Sequence, residues 1–276
     1  MSTAPALHAL GVDPVGELRD QVALIESAGL DGIFATDHLF ISQGRPRREA
    51  RAGGDPFVKL AVAGALSRRL ILGTSVVNIG LAHPALAIRG FIELARQFGG
   101  GRVIAGIGGG WNREEFDALG LDFPALPDRM ERLEDAARLA RELFDRGFAE
   151  HGGASVAVRE LSLGAPTEPP PRLLLGGGSD RLLELAGRYA DIVDLNGSSR
   201  RLPLGGPHPA LKDLARRYTT TVADLEDSVA RVRDSAATAG RDPDAIEFSI
   251  LVGAVRFCAA GEIEAVEAGL CADAAI

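Results

Sequence analysis

Apolar residues along the chain follow two alternating spacings, which is typical of an α/β protein with a parallel sheet. Short continuous apolar runs predict buried strands, and segments of helical spacing separate them. The runs that predict strands are 32–36, 70–77, 102–107, 172–175, 191–195 and 246–252, with 7–12 as a weaker seventh. This alternation favours strand–helix repeats in which helices cover a sheet.

Five segments between these runs place apolar residues at positions i, i+3, i+4 and i+7, the spacing of a one-sided helix. The last of them has Thr221 as its expected N-cap and Gly240 as its stop. One-sided helices after buried strands predict an α/β fold of the TIM (β/α)8 barrel type, which needs about 250 residues. The first apolar residues of the five segments are Leu18, Ala87, Met130, Leu182 and Val222.

We expect this barrel to cover residues 1–276 as one domain, with insertions at about 40–55 and 147–171. The first insertion is rich in arginine and is expected to be a mobile surface loop, whereas alternation and prolines in the second predict a small hairpin. After Val252 the remaining residues suffice for one helix, at about 262–270, and a stub of strand. The barrel is therefore expected to be incomplete at its C-terminal end, so that either a partner subunit covers the exposed sheet edge or the protein is only marginally stable.

Charge and composition narrow the choice of partners. The chain carries 30 Lys+Arg against 38 Asp+Glu, a net charge of −8, which argues against a nucleic-acid or anionic-membrane partner. No apolar run approaches the ~20 residues of a membrane-spanning helix, and no basic and apolar leader follows Met1. Cys258 and Cys271, the only cysteines, lack the spacing of a disulfide framework. We expect a cytoplasmic protein that acts on a small molecule.

The carboxyl ends of the predicted strands are the first place to search for chemistry, because the reacting groups of a parallel barrel lie there. His38 is a candidate acid or base, since histidine titrates near neutral pH, although a histidine that only packs in the fold is the alternative. No two His, Cys or acidic residues show the spacing of metal ligands. The segments that stand out at these ends are Asp37–His38, 74–78, 106–112 and 176–179.

Two of these segments are rich in glycine. The glycines of 176–179 precede a predicted helix, where exposed N–H groups bind phosphate, although a plain turn has the same pattern. The run at 106–110 reads G-x-G-G-G, not G-x-G-x-x-G, and we expect a long loop after it, which argues against a dinucleotide-binding fold. Glycines there would let a flat ligand approach the backbone, with Trp111 as an apolar wall. Glu114 and Glu115 follow and face the site or solvent, with solvent expected for at least one.

At these residues the chain resembles the bacterial luciferase-like monooxygenase superfamily, which comprises flavin- or deazaflavin-dependent oxidoreductases on a TIM barrel. The resemblance runs from about residue 17 to 252. Within the superfamily, the Asp-His, Ser-Val and Gly-Gly-Gly-Trp-Asn motifs in this order look most like the branch that uses coenzyme F420, a deazaflavin. The motifs that carry it are GLDGIFATDHL at 29–39, LGTSVV at 72–77, GRVIAGIGGGWNREEF at 101–116 and PPRLLLGG at 170–177.

The resemblance implies hydride transfer between F420 and a small organic substrate, in a homodimer; a monooxygenase that uses FMN is the alternative. Asp37 and His38 would lie beside the redox ring, with His38 as a proton donor or a ring-positioning group. The peptide between Ser75 and Val76 would be a non-proline cis bond behind the ring. Residues 176–179 would hold the cofactor phosphate. The cofactor-binding residues that the resemblance implies are Ser75, Val76, Asn78, Gly106, Gly108, Gly109, Gly110, Gly176, Gly177, Gly178 and Ser179.

Two other classes of function compete with this one. A non-catalytic cofactor-binding barrel is favoured by the incomplete C-terminal end. An aldolase or isomerase that binds a sugar phosphate at 176–179 would need a lysine or a pair of acids at the strand ends, and we find neither. The resemblance therefore favours the oxidoreductase.

Overall fold

A parallel sheet of seven strands forms the centre of the fold. The computed structural model describes residues 13–42, 46–195 and 220–250. The strands in these residues are β1 (Gly32–Ala35), β2 (Phe40–Ile41), β3 (Arg51–Ala52), β4 (Ile71–Thr74), β5 (Val77–Asn78), β6 (Val103–Gly108), β7 (Phe148–Gly152), β8 (Ala157–Ser162), β9 (Arg172–Gly177), β10 (Ile192–Leu195) and β11 (Glu247–Ser249). The central sheet has the order β1-β4-β6-β9-β10-β11, and β5 pairs with β6.

Helices alternate with the strands of the central sheet. They are α1 (Pro14–Ser27), α2 (Pro56–Leu66), α3 (Pro84–Phe98), α4 (Arg113–Ala118), α5 (Leu126–Arg146), α6 (Asp180–Tyr189) and α7 (Val222–Thr238). Six of these seven begin at a side chain that accepts a hydrogen bond from the first turn, which satisfies an N–H group that has no partner within the helix. None of the seven combines the length and hydrophobicity that crossing a bilayer requires.

The two faces of the sheet bury different sets of residues. The main core lies between the outer face and the helices, where Leu72, Val103 and Leu173 are fully buried. A second, smaller cluster is formed by Ile104, Leu174 and Ile192, with Ile71 and Val76 packed against it. Because successive side chains of a strand alternate between faces, this second cluster lines the inner face of the sheet.

A hydrogen bond across the inner face shows that the sheet is curled. The hydroxyl of Ser75, just after β4, donates to Asp194 Oδ2 on β10 at 2.9 Å. Strands β4 and β10 are three strand spacings apart in the sheet, which is roughly 14 Å along a flat sheet. Gly106 and Gly176 share the inner face with Ile104 and Leu174, because side chains alternate along each strand. The sheet therefore curves as part of a barrel wall.

The strand predictions within the described residues are confirmed, because each of the six apolar runs contains a strand. The run at 70–77 is divided into β4 and β5, and the peptide between Ser75 and Val76 at the division is cis, as the resemblance implied. The five helical segments are also confirmed, and Thr221 caps the last helix with Asp224 in a capping box. The predicted strand at 7–12, the helix at 262–270 and both cysteines lie outside the described residues.

Two helices differ from the sequence expectations. Helix α2 was not predicted, because its run of Val, Ala, Leu and Gly is apolar on nearly all sides and shows no single stripe. Helix α4 contradicts the expected long loop after 106–110: Asn112 accepts a hydrogen bond from Glu114 N and starts a helix of six residues. So short a helix offers less than two turns of apolar periodicity.

Two small antiparallel pairs lie outside the central sheet. In the segment 40–55, β2 pairs with β3, and Gly53 N donates to Leu39 O, which ties the return of this segment to its start. In the segment 147–171, β7 and β8 form a hairpin with an irregularity between Ala149 and His151. The segment 40–55 thus forms a short antiparallel pair that begins just after His38 and returns to the same strand end.

Candidate active site

The sequence-predicted site residues lie at one edge of the central sheet. The strands β1, β4, β6, β9 and β10 run parallel, so their carboxyl ends share an edge, which we call the carboxyl rim. His38 follows β1, Ser75 follows β4, and Ser179 follows β9. Strands β1 and β9 are three strand spacings apart, roughly 14 Å. The imidazole and the glycine-rich turn therefore lie on the same rim.

His38 is held by a buried carboxylate. Its Nδ1 lies 3.1 Å from Oε1 and 3.3 Å from Oε2 of Glu115, whose side chain is fully buried. The same Oε1 accepts a hydrogen bond from Leu39 N at 2.7 Å. The His38 side chain remains 19% exposed. Of the two glutamates weighed in the sequence, Glu115 thus faces the site, and Glu114 is half-buried.

Helix α4 positions Glu115. Asn112 caps the helix, which places Glu115 in the first turn, where the helix dipole favours a negative charge. The neighbouring Phe116 is buried and makes an edge contact with the ring of Phe123, with ring centroids 5.1 Å apart. In the sequence, the only feature that drew attention to Glu115 was its place in a pair of acidic residues after the glycine-rich run. Its contact with His38, 77 residues away, was not predictable from the sequence.

Asp37 and Trp111 flank His38. Asp37 Oδ2 accepts a hydrogen bond from Asn78 N at 3.0 Å, which ties the loop after β1 to β5. Burial raises the pKa of Asp37, and the Asn78 N–H opposes this effect, while the nearby charge of Glu115 adds to it. The ring of Trp111 meets that of His38 edge-on, with centroids 5.5 Å apart, and Trp111 is 48% exposed. The site therefore joins a titratable ring to an exposed apolar wall.

A polar network lies on the inner face near the rim. Asp194 is 2% exposed and accepts hydrogen bonds from Ser75 Oγ at 2.9 Å and from Ser249 Oγ at 3.2 Å. Thr74 Oγ1 donates to Gly106 O at 2.7 Å and accepts from Gly106 N at 3.1 Å. The sequence reasoning missed Asp194, for which the signal was an aspartate within the apolar run 191–195. These bonds hold the segment with Ser75 and Val76 against the neighbouring strands.

The glycines of the run 106–110 are required by the packing of the protein itself. A Cβ at Gly106 would lie 1.8 Å from Thr74 O, and one at Gly108 would lie 2.5 Å from Val76 Cγ2. Gly110 has φ +72°, and a Cβ there would lie 2.3 Å from Asn78 Oδ1. Gly109 lies against the side chain of Met130. Backbone and side chains near the rim are thus packed more closely than any larger residue allows.

The turn 176–179 has the form of a helix N-terminus with mixed charge around it. Ser179 Oγ accepts a hydrogen bond from Leu182 N at 3.3 Å, and Gly177 has φ +153° with no room for a Cβ beside Leu182. Gly178 borders a small pocket that is also lined by Asp180, Asp224, Asp227 and Arg231. Arg231 lies 3.9 Å from Asp180 and 3.2 Å from Asp227. Within the described ranges, no group of three His, Cys, Asp or Glu side chains is arranged to hold a metal ion.

The relatives of this chain share its fold. The luciferase-like monooxygenase family model matches residues 1–202. An F420-dependent glucose-6-phosphate dehydrogenase of Microbacterium testaceum is 29% identical over 76% of this chain and 61% of its own length. One of Intrasporangium calvum is 30% identical over 83% of this chain and 67% of its own length. The chain thus spans about three fifths to two thirds of the length of these relatives.

Solved structures agree on the architecture. An F420-dependent secondary alcohol dehydrogenase in complex with an F420–acetone adduct superposes with a TM-score of 0.66 at 18% identity, over 87% of this chain and 65% of that one. A riboflavin lyase with modified FMN and riboflavin gives a TM-score of 0.70 at 20% identity, over 95% of this chain and 60% of that one. The α/β luciferase-like TIM-barrel fold is therefore confirmed, and the chain belongs to the luciferase-like monooxygenase family.

Proposed function

We propose that this protein is an oxidoreductase that uses coenzyme F420 to transfer a hydride to or from a small organic substrate. The observation that carries the proposal is the placement of His38 on the carboxyl rim, held by Glu115 and on the same rim as the helix N-terminus at Ser179. Relatives named F420-dependent dehydrogenases support it. The range matched by the family model, residues 1–202, includes His38 and the segment 106–116.

The inner face of the rim fits a flat ring. Thr74 O and the Val76 side chain occupy the space over Gly106 and Gly108, so half-buried Val76, which packs on the apolar cluster, is the surface offered to the ring. Ser75, tied to Asp194, and Asn78, tied to Asp37, form the sides. We assign the ring to this surface, with Gly109 and Gly110 along its edge.

The glycine-rich turn is assigned to the cofactor phosphate. The N-terminus of α6 and the guanidinium of Arg231 favour an anion there, and Gly177, Gly178 and Ser179 are the candidate donors. The carboxylate of Asp180, in the first turn of the helix, opposes it. These opposing charges make the turn the weaker half of the proposed cofactor site.

The protein's own part in the reaction is proton transfer, positioning and exclusion of water. When bound, F420 supplies a two-electron carrier that accepts or gives a hydride. Oxidation of an alcohol to a carbonyl releases a hydride and a proton, and the proton needs an acceptor. His38 Nε2 is that acceptor, because Nδ1 is engaged by Glu115. Trp111, which is 48% exposed beside the His38 ring, provides apolar surface for the substrate.

A cofactor titration followed by a turnover assay tests the proposal. The purified chain is titrated with oxidised F420 and, separately, with FMN, and binding is followed by cofactor fluorescence. We expect saturable binding of F420, followed by its reduction when an alcohol from a panel that includes glucose 6-phosphate and isopropanol is added. His38→Gln is the matched variant and is expected to bind F420 without turnover. Binding of FMN alone would favour a flavin monooxygenase, and binding without turnover would favour a non-catalytic barrel.

We further propose that the chain is a single barrel domain that acts as a homodimer in the cytoplasm. The low cysteine content, without a disulfide framework, supports the reducing compartment. The dimer is proposed from the resemblance to the luciferase-like family, whose model matches this chain. Sedimentation at several protein concentrations measures the oligomeric state.

A further inference from the structure

We infer that Glu115 is a positioning residue that holds neutral His38 in the tautomer with hydrogen on Nδ1, so that Nε2 is the nitrogen that exchanges a proton. The catalytic consequence of this inference rests on the proposed function. The tautomer itself is a property of the chain and is measurable without a cofactor.

The hydrogen-bond inventory of the two side chains leads to this assignment. An ionised carboxylate accepts hydrogen bonds and has no hydrogen to donate. Glu115 already accepts from Leu39 N at 2.7 Å, and both of its oxygens lie within 3.3 Å of His38 Nδ1. The hydrogen between the two side chains must then belong to Nδ1. A neutral ring with hydrogen on Nδ1 keeps the lone pair of Nε2 for chemistry.

Burial makes the preference strong. The Glu115 side chain has no exposed surface, so water cannot reach it to replace His38 as its partner unless the surrounding structure opens. A buried carboxylate oxygen that faced an acceptor lone pair of Nδ1 would be repelled, whereas an N–H donor stabilises it. In water the imidazole side chain favours the other tautomer, with hydrogen on Nε2. Glu115 therefore reverses the tautomer that His38 would adopt by itself.

The surroundings hold both partners in place. Glu115 is anchored on α4 by the Asn112 cap and by the neighbouring buried Phe116. On the other side, the Trp111 ring contacts the His38 ring edge-on. The Leu39 N–H bond attaches the backbone next to His38 to the same carboxylate oxygen. Two contacts from adjacent residues to one carboxylate fix the ring orientation as well as the tautomer.

The test is an NMR measurement on the full chain with ¹⁵N-labelled histidine, at a pH where the ring is neutral. Two-bond ¹H–¹⁵N correlations distinguish the two tautomers, and His38→Gln assigns the His38 signals. We expect the pattern of hydrogen on Nδ1 in the unaltered protein. We expect Glu115→Gln to change it to hydrogen on Nε2, because the Gln amide can donate to Nδ1. Glu115→Asp, which keeps the carboxylate, is expected to retain part of the original pattern.

Glu114→Gln is the matched control, since it removes the same charge one residue away and is expected to leave the His38 pattern unchanged. If Glu115→Gln proves unfolded by circular dichroism, the pattern of the unaltered protein decides alone. Hydrogen on Nε2 in the unaltered protein, or an unchanged pattern in folded Glu115→Gln, overturns the inference.

The kinetic consequence separates this inference from the proposed function. We expect Glu115→Gln to lower kcat by about 10–100-fold while the Kd for F420 stays within twofold, as for groups that orient a reacting side chain. A loss of F420 binding in the unaltered protein would reject the proposed function and leave the NMR result valid. A changed tautomer with unchanged kcat would reject the catalytic role of Glu115 and leave cofactor binding valid.

Discussion

Two histidines in the described part of the chain lie beside carboxylates, and they differ in where the fold places them. His38 meets Glu115 on the carboxyl rim and keeps 19% of its side chain exposed. His151, on β7, lies between two carboxylates of α5: its Nε2 is 3.6 Å from Asp135 Oδ1 and its Nδ1 is 3.5 Å from Glu142 Oε1. The His151 side chain is only 3% exposed.

The carboxylates around His151 serve the fold. Asp135 accepts hydrogen bonds from Ser155 N at 2.8 Å and Val156 N at 3.1 Å, which fastens the β7–β8 hairpin to α5. No described strand of the central sheet ends at His151, and its ring is buried between the hairpin and α5. A histidine–carboxylate pair thus acquires a chemical role from its place at the ends of parallel strands, and not from its composition.

The largest expected effect separates the two histidines directly. His38→Gln is expected to lower turnover with F420 by about 10²–10⁴-fold, the usual contribution of a group that moves a proton in the reaction. The Gln amide keeps a donor for Glu115, which limits structural damage. His151→Gln is expected to leave turnover per folded molecule within twofold. Steady-state rates with circular dichroism as a check on folding measure both, and equal losses would remove the distinction.

The second prediction concerns the structural carboxylate. Asp135→Ala leaves Ser155 N and buried Val156 N without their acceptor and removes the carboxylate 3.6 Å from His151 Nε2, and we expect it to lower the free energy of unfolding by about 2–4 kcal/mol. Glu142→Ala, whose side chain is 19% exposed, is the control and should cost less than about 1 kcal/mol. Urea unfolding measures both. A smaller loss in Asp135→Ala than in its control would contradict the fastening role.

Gly110 on the rim and Gly120 on the surface have similar backbone angles but different amounts of space around them. Gly110 has φ +72° and Gly120 has φ +69°, but only Gly110 lacks space, since a Cβ at Gly120 meets nothing within 4 Å. Gly120→Ala should lower the free energy of unfolding by about 1–2 kcal/mol from backbone strain alone. Gly110→Ala should lower it further, because Asn78 must move, and should also weaken F420 binding. Equal losses in thermal unfolding would argue against a crowded rim.

The smallest expected effect is a pH dependence of the free energy of unfolding that arises from Asp37. Burial raises the pKa of Asp37 in the folded state above its ordinary value of 3.8. Between pH 3.8 and the raised pKa, the folded state therefore binds more protons than the unfolded state. The stability that neutral Asp37 contributes is complete below pH 3.8 and is lost as the pH rises through the raised pKa. Asp37→Asn should therefore stabilise the protein at pH 7, and this gain should disappear on acidification. Urea unfolding across the pH range tests this, with exposed Asp20→Asn as the control.

The periodicity of the sequence was sufficient for the strands of the six apolar runs and for five of the seven helices in the described residues. A strand buried on both faces requires continuous apolar residues, and a helix on the sheet requires an apolar stripe, so each is visible within its own segment. Helix α2 escaped because its apolar residues surround it, and α4 escaped because it is too short for a stripe. The location of the candidate residues at one edge of the sheet also followed from the sequence, since parallel strands bring their carboxyl ends to one edge.

What the sequence determined by itself is the alternation of strands and helices, the family motifs and the group of residues that reach the rim. Tertiary structure decided the partners: Glu115 for His38 at a separation of 77 residues, and Asp194 for Ser75 at a separation of 119. Local patterns record only whether a position is buried. Which carboxylate meets which donor depends on sheet curvature and helix placement, because these bring distant segments within hydrogen-bond distance.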